Sequence, residues 1–255
     1  MALLLVVAAP LAARAGDALR DLGAARVVSV VDGDTVVLDR AVDGADQVRL
    51  VGIQAPKLPL GRKGFAKWPL GDESKAALEA LVLDKSVKLA AGGRSMDRHG
   101  RLLAHLYLAD GTWVQGRMLE TGMARVYTFP DNRALAADMY AREAAARAAG
   151  RGIWALPFYA VRGPDGLAAD IGTFQVVEGR VLRVAKVRNL VYVNYGRNWR
   201  DDFTLRLDSR AQRLFRDAGV DLLYLQGRVI RVRGWLRDRN GPLIDVTHPE
   251  QVEVP

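Results

Sequence analysis

The chain contains no cysteine and only three histidines among its 255 residues. The absence of cysteine excludes disulfide bonds, cysteine nucleophiles, iron–sulfur clusters and thiolate zinc sites. Three scattered histidines disfavour a metal site built from several imidazole rings. Half of the residues are hydrophobic, which is ample for a buried core, and the length allows one or two domains.

Acidic residues are outnumbered, since the formal net charge is +8 and the isoelectric point is near 10.0. This balance favours a polyanionic partner, although it says nothing about the fold. Residues 173–255 hold 15 basic and 10 acidic side chains, whereas residues 16–171 hold 21 and 19. The positive excess therefore lies mainly in the second part of the chain.

The long apolar runs of membrane proteins are missing, but a short one covers Ala2–Ala13. It is followed by Ala13-Arg14-Ala15, a small-x-small pattern typical of a cleavage site. Because the run is too short to span a bilayer comfortably, it predicts a signal peptide over residues 1–15 and a secreted or periplasmic product. The alternative is an apolar N-terminal helix packed on the following domain.

The first part of the chain alternates strand-like runs with helical segments. The helical predictions are Glu73–Leu83 behind Asp72 as N-cap, Val114–Ala124, and Ala134–Ala149 ending at Gly150. Between them lie runs rich in β-branched residues and separated by Gly, Asp and Asn. These predicted strands are Val27–Val31, Thr35–Leu38, Val48–Ile53, Val87–Leu89 and Leu102–Leu108. The order favours an α+β, mainly β fold, with helices packed against a small barrel.

A second domain is predicted over residues 173–255, after a linker at 161–172 rich in Gly, Pro and Asp. Five predicted strands carry one helix, Ser209–Ala218, between the third and the fourth. That is the element order of an oligonucleotide/oligosaccharide-binding (OB) barrel, although a generic β-barrel fits almost as well. The strands are Phe174–Leu182, Leu190–Tyr195, Phe203–Leu207, Val229–Leu236 and Leu243–Val246.

Two carboxylates occupy a predicted turn, Asp32-Gly33-Asp34-Thr35, between two apolar runs. Carboxylates on a strand-to-strand turn can hold a divalent cation. The alternative is an ordinary hairpin turn whose aspartates accept hydrogen bonds from nearby backbone.

Further along the chain, the turn is followed by a longer pattern. After Asp32–Thr35 come Val48-Arg49-Leu50-Val51-Gly52-Ile53-Gln54-Ala55-Pro56, then Asp97-Arg98-His99-Gly100-Arg101, Gly122-Met123-Ala124-Arg125-Val126, and Gly152-Ile153-Trp154. In order and spacing, this set over residues 26–154 resembles the staphylococcal-nuclease-like (thermonuclease) family.

The resemblance implies a five-stranded OB barrel with three helices, in a domain over residues 25–160, and calcium-dependent cleavage of DNA and RNA. It places Asp34 as a calcium carboxylate and Arg49 and Arg101 as the catalytic arginines that hold the scissile phosphate. It also assigns substrate contacts to Arg98 and His99, and base stacking to Tyr127. A guanidinium fork suits these roles because it matches two phosphate oxygens at once.

Three positions depart from the family pattern. Gln54 stands where the family has a second calcium carboxylate, Ala55 where a threonine gives a backbone ligand, and Lys57 where it has the glutamate base. Gln54 still offers a neutral amide oxygen, so the expectation is a weakened calcium site made by Asp34 and Gln54. An ammonium does not act as a general base near neutral pH, so Lys57 is expected to contact substrate instead.

Residues 55–71 contain no carboxylate that could replace the missing base. The next acids, Asp72 and Glu73, fit the start of a helix better than a catalytic role. The same loop interleaves Lys57, Arg62, Lys63 and Lys67 with Phe65 and Trp68. That composition suits phosphate contact with base stacking, or equally a solvated loop whose aromatics pack on the barrel.

Similar aromatic and basic residues recur in the second domain, where core packing is an equal alternative for each aromatic: Tyr192, Tyr195, Arg197, Trp199, Arg200 and Phe203. His105 is expected to be a barrel residue and His248 a turn residue, neither with a catalytic role.

Three functional hypotheses follow. The first is a protein that engages nucleic acid, DNA or RNA and preferably single-stranded, with hydrolysis absent or strongly reduced. The second is an active nuclease with another base or metal, and the third is an envelope interaction module that uses the barrel as a scaffold.

Overall fold

A computed structural model describes residues 19–198 and 201–255. The predicted signal peptide and the pair Trp199 and Arg200 lie outside these residues. The chain divides into two compact units, one reaching Tyr127 and including Asp131–Ala149, the other formed by Thr128–Pro130 and Gly150–Pro255. The domain and linker bounds given above stay predictions.

The first unit contains a closed five-stranded barrel in the order β1-β2-β3-β6-β5, as predicted. Helices α1 (Gly71–Val82), α2 (Val114–Glu120) and α3 (Ala136–Ala148) accompany it, and β4 and β7 form a separate two-stranded sheet. The strands are β1 (Arg20–Asp32), β2 (Thr35–Val42), β3 (Ala45–Leu50), β4 (Gly52–Gln54), β5 (Ser86–Ala91), β6 (Leu102–Tyr107) and β7 (Arg125–Tyr127).

Alternating apolar residues fill the barrel and explain its formation. On β1, β2 and β3 the buried side chains recur about every second residue, as they do on a strand with one face in a core. The Asp32–Thr35 turn joins β1 to β2 in an antiparallel hairpin. Strand β3 pairs with β2 on one side and in parallel with β6 on the other, so β3 lies between this turn's strand and β6. These pairings position the candidate site.

The predicted strand Val48–Ile53 is in fact two strands that separate at Val51. Gly52 has a φ of 83°, and a Cβ there would lie 2.5 Å from the Met139 sulfur. The chain therefore bends, so that β3 pairs with β2 and β6 while β4 pairs with β7. Periodicity alone did not predict this bend, because both strands are apolar.

The predicted N-cap at Asp72 is wrong. Helix α1 begins at Gly71, and Leu70 precedes it in the left-handed region with a φ of 61°. Asp72 instead lies in the first helical turn, where its carboxylate favours the positive end of the helix dipole and pairs with Lys67.

The second unit holds a curled seven-stranded sheet and one α-helix, α4 (Ser209–Asp217), between its fourth and fifth strands. The predicted barrel-like sheet and its helix position are confirmed, but two strands were missed, the largely exposed β9 and the short β14. The sheet order is β14-β12-β13-β11-β10-β9, with β8 also paired to β12. The strands are β8 (Phe174–Arg180), β9 (Arg183–Val187), β10 (Leu190–Asn194), β11 (Thr204–Leu207), β12 (Val229–Asp238), β13 (Pro242–Asp245) and β14 (Val252–Glu253).

Short 3-10 helices complete the second unit, one of them inside the predicted linker at Leu167–Asp170. Among the residues described, no helix has the length and apolar character needed to cross a membrane.

Candidate functional site

The Asp32–Thr35 turn is a two-residue hairpin connection closed by the pairing of Asp32 with Thr35. Gly33 is required by packing, because a Cβ there would lie 2.0 Å from Ser74 Oγ and 2.7 Å from the Ala55 Cβ. The backbone N–H of Asp34 donates to Asp32 Oδ1 at 3.1 Å. The close approach of α1 therefore fixes the direction of the Asp34 side chain.

The Asp34 carboxylate is fully buried and is surrounded by hydrogen-bond donors. Its Oδ2 accepts from the Ala55 backbone N–H at 2.8 Å and from Lys57 Nζ at 2.8 Å, and it lies 3.2 Å from Arg49 Nη2. Burial alone would raise the pKa of Asp34, but the Arg49 and Lys57 charges and these hydrogen bonds hold it well below its ordinary value. Asp34 is therefore an ionised acceptor engaged by the protein itself.

Arg49 lies at the end of β3, and its guanidinium donates hydrogen bonds to backbone carbonyls on both sides of the bend between β3 and β4. Its Nη1 donates to the Leu50 carbonyl at 2.5 Å, and its Nη2 donates to the Ile53 carbonyl at 2.6 Å. About 12% of the side chain remains exposed. The bend thus orients the Arg49 guanidinium beside Asp34 and leaves only a small part of the side chain exposed.

Lys57 follows β4 and is 21% exposed at its side chain. Its Nζ lies 2.8 Å from Asp34 and 4.0 Å from Asp32 Oδ2, so a positive charge sits between the two turn carboxylates. The pKa of Asp32 is raised by its burial and by the Asp34 charge, with Lys57 and Arg49 acting in the opposite direction. The structure therefore places a cation of the chain where the turn carboxylates converge.

The amide oxygen of Gln54 contacts Arg125 and does not join Asp34 in a shared calcium site. Its Oε1 accepts two hydrogen bonds from Arg125, at 3.0 Å from Nε and 2.8 Å from Nη2, and both side chains are buried. The pairing of Gln54 with Arg125 across β4 and β7 explains the contact. Arg125 was not among the predicted site residues, because only this strand pairing, invisible in the sequence, brings it to Gln54.

These residues do not fit a calcium ion as the resemblance implies it. Calcium takes several oxygen ligands, preferably anionic, but Asp34 is engaged by an ammonium and a guanidinium, and Gln54 by a second guanidinium. Within the described ranges, no cluster of three or more His, Asp or Glu side chains has the arrangement of a metal site.

Arg101 precedes β6, the strand that pairs with β3, one residue before the Leu102 that lies opposite Val48. Its Nε donates to Asp97 Oδ2 at 2.8 Å, and its Nη2 lies 2.6 Å from the same oxygen. Burial alone would raise the pKa of Asp97, but hydrogen bonds from the backbone and side chain of Arg101 lower it. The aspartate thus orients a guanidinium whose side chain is 27% exposed.

The other predicted substrate contacts lie near these elements. Arg98 and His99 are exposed in the turn before β6, where Arg98 Nε lies 3.1 Å from His99 Nε2. Tyr127 is half-buried on β7 and pairs with Gly52 on β4. Topology therefore brings the predicted residues to the strands and turns of the barrel and of the adjoining β4–β7 sheet.

The basic and aromatic loop between β4 and α1 packs partly on itself. Arg62 lies over the Phe65 ring at 3.8 Å, and the Phe65 and Trp68 rings are 6.4 Å apart. The Arg125 guanidinium lies 5.6 Å from the Trp68 ring centre. Both aromatic rings remain half-buried, and Trp68 borders the site through its contact with Arg125.

The remaining candidates have structural surroundings. His105 is buried on β6 with its ring 5.6 Å from Trp113, and burial lowers its pKa to about 4. His248 is also buried, and its ring nitrogens lie 2.8 Å from Thr128 Oγ1 and 2.9 Å from Thr247 Oγ1.

In the second unit, Phe203 is buried and packs against the Tyr195 ring at 4.9 Å. Burial raises the pKa of Tyr195. Core packing therefore accounts for this pair. Tyr192 is half-buried on β10, and Arg197 is exposed.

Comparison with known proteins supports the interpretation of the first unit. Residues 47–156 match the family model described as staphylococcal nuclease homologue. An uncharacterized endonuclease of Escherichia coli is 37% identical over 103 residues, which cover 40% of this chain and 60% of that protein. A thermonuclease of Staphylococcus intermedius is 29% identical over 107 residues, covering 42% and 61%.

A third relative, the succinoglycan biosynthesis protein ExoI of Rhizobium meliloti, is 33% identical over 142 residues, covering 52% of this chain and 68% of that protein. The chain thus belongs to the staphylococcal-nuclease-like family. It spans about 60% of the length of the endonuclease and of the thermonuclease that it matches.

Proposed function

We propose that the first unit binds the phosphodiester groups of nucleic acid beside Asp34, and that hydrolysis by the calcium-and-glutamate route is absent or strongly reduced. The observation that carries this proposal is the 2.8 Å contact between Lys57 Nζ and the buried Asp34 carboxylate. The chain itself supplies a positive charge at the carboxylate where the family resemblance implies a metal ion.

Binding would use cations that the turn and the neighbouring strands present together. The exposed parts of the Arg49 and Arg101 side chains, 12% and 27%, offer positive charge to phosphate oxygens. Lys57 and the exposed Arg98 add positive charge on either side. Such binding does not require calcium, because every cation in it is a side chain.

Efficient hydrolysis also needs a base that can reach the attacking water. Asp34 is ionised but fully buried; its Oδ2 is engaged by Ala55, Lys57 and Arg49, and its Oδ1 accepts a hydrogen bond from Thr35 Oγ1 at 3.3 Å. Asp97 is committed to Arg101 in the same way. Losing a positioned general base typically lowers a rate by about 10²–10⁴-fold, which supports weak residual cleavage at most.

The test combines cleavage and binding by the full chain. Plasmid DNA and RNA are incubated with calcium, magnesium or manganese, and oligonucleotide binding is measured by fluorescence anisotropy in EDTA. We expect binding in EDTA that is weakened in Arg49→Ala, with little or no cleavage. Robust calcium-dependent cleavage that disappears in Arg49→Ala would contradict the proposal.

A second candidate function, an active nuclease with another base, is favoured by Asp32. This carboxyl group lies in the same turn, and burial together with the Asp34 charge raises its pKa above the ordinary value of an aspartate. Cleavage that is lost in Asp32→Asn, while oligonucleotide binding persists, would establish this alternative.

We also propose that the protein is exported, on the strength of the apolar run Ala2–Ala13 and the Ala13-Arg14-Ala15 pattern. Expression of the full chain in a bacterial host, followed by N-terminal sequencing, is expected to give a product that begins at Gly16. Recovery of the intact N-terminus from the cytoplasm would contradict export.

A further inference from the structure

The second unit carries a basic surface that the candidate site does not use. Six of its exposed cations lie on β9, on the turn that follows β9, and on α4, and none of their side chains forms an ion pair within the described part of the chain. They are Arg183, Lys186, Arg188, Arg210, Arg213 and Arg216. This β9–α4 surface accounts for much of the positive excess of the C-terminal region.

Several arginines elsewhere in the same sheet are paired with carboxylates. Arg206 Nε lies 2.6 Å from Asp245, and Arg233 Nη2 lies 2.5 Å from Glu253. Arg231 also pairs with Glu178. Carboxylates therefore pair with Arg206, Arg231 and Arg233, whereas the β9–α4 cations have no such partner within the described residues.

Hydrogen bonds hold the two elements of this surface side by side. From α4, Gln212 Nε2 donates to the Asn189 carbonyl at 2.7 Å and Ser209 Oγ donates to it at 3.3 Å. Asn189 belongs to the turn that joins β9 to β10. Because β9 is an edge strand of the sheet, its outer side is not covered by a further strand of the described chain.

Between β9 and α4 lies a cavity of about 550 Å³. Lys186 comes to it from β9 and Arg216 from α4, so two unpaired cations border one concavity. One carboxylate, Asp221, also lines it, and its Oδ1 accepts a hydrogen bond from the Leu223 backbone N–H at 2.9 Å. Its apolar lining is formed by Val184, Val191, Val220, Leu222 and Leu223. Leu223 is 65% exposed. A ligand for this place should combine negative charge with a flat apolar group.

We propose that the β9–α4 surface is a second nucleic-acid site, specific for single strands, with phosphates on its arginines and an unstacked base in the cavity. Single strands supply both features, because their bases are free to leave the stack while the backbone follows a basic groove. In a duplex the bases are paired and stacked, so the apolar lining would remain unfilled. A flat anionic bilayer does not present a group that enters a concave cavity between two cations.

The experiment uses the full chain and a labelled oligodeoxythymidine, with anisotropy recorded over a range of salt concentrations. The surface variant is Arg210→Gln/Arg213→Gln/Arg216→Gln. The control variant, Lys75→Gln/Lys88→Gln/Arg239→Gln, removes the same charge at positions outside the surface. Melting curves of both variants verify that they fold.

We expect the surface variant to bind at least about tenfold more weakly at low salt. Its slope of log K against log salt should be less steep by roughly two units, since each phosphate contact with a single strand contributes about 0.7. The control variant should keep nearly the whole slope. Lys186→Gln/Arg188→Gln, on β9 and the turn that follows it, should lower the slope by about 1.4 units without changing α4.

Three results would overturn the proposal: an unchanged slope in both surface variants, equal affinity for a duplex of the same length, or a loss confined to anionic vesicles. The proposal that nucleic acid binds beside Asp34 is tested separately, by Arg49→Ala. If Arg49→Ala binds like wild type and the surface variant binds more weakly, the proposed binding beside Asp34 is refuted and binding at the β9–α4 surface is supported.

Discussion

At the scale of single residues, the most consequential feature is the exchange of an acid for Lys57. A buried carboxylate such as Asp34 needs a compensating positive charge, since an unpaired buried ion is costly. Lys57, together with Arg49, supplies that charge from within the chain. The Lys57 ammonium is part of the chain, so it contributes to the stability of the fold as well as to the electrostatic potential beside Asp34.

Lys57→Met should destabilise the protein by about 1–3 kcal/mol, because Asp34 then loses its ammonium partner but keeps Arg49 and the Ala55 N–H. The partial exposure of Lys57 keeps this value below that of a fully buried pair. Urea unfolding measures the change. Lys57→Arg, which retains the charge, serves as control, and equal stability of Lys57→Met and wild type would contradict the role.

His105 should make stability depend on pH. Its pKa is about 4 in the folded chain and about 6.5 when unfolded, so the unfolded chain binds more protons between these values. The contribution of neutral His105 is complete above pH 6.5 and is lost as the pH falls toward 4. Urea midpoints compared between wild type and His105→Gln should show a shallower acid slope in the variant. Parallel slopes would contradict this assignment.

At the scale of elements, the β1–β2 turn and the bend between β3 and β4 place the site, and both depend on glycine. Gly33→Ala should cost about 1–3 kcal/mol through overpacking against Ser74 and Ala55. Gly163→Ala is the matched control, because no heavy atom lies within 4 Å of the added Cβ. It should change stability by no more than about 0.5 kcal/mol. Equal melting curves for both variants would contradict the turn geometry.

Runs of β-branched residues predicted the strands of the barrel, and helical spacing with capping residues predicted the three helices of the first unit. These patterns did not predict the break at Gly52, because a positive φ and the approach of Met139 are properties of the packed chain. They also missed β9, whose Arg183 and Lys186 interrupt the apolar pattern since most of this edge strand faces solvent.

At the scale of the whole molecule, the residues of the candidate site that belong to a sequence motif were predictable. Asp34, Arg49 and Lys57 were identified from the sequence, and the fold brings them within hydrogen-bonding or ion-pair distance. The engagement of Gln54 by Arg125 was not predictable, because it arises from the pairing of two short strands far apart in sequence. Whether Asp34 and Gln54 can bind calcium depends on such contacts as well as on residue types.

The most direct test of the account is a calorimetric titration of the purified full chain with calcium, combined with melting curves in calcium and in EDTA. We predict no saturable calcium binding and identical melting temperatures for wild type, and measurable binding by Lys57→Glu/Gln54→Asp, which restores two carboxylates. Calcium that binds wild type and raises its melting temperature would contradict the claim that Lys57 takes the place of the metal.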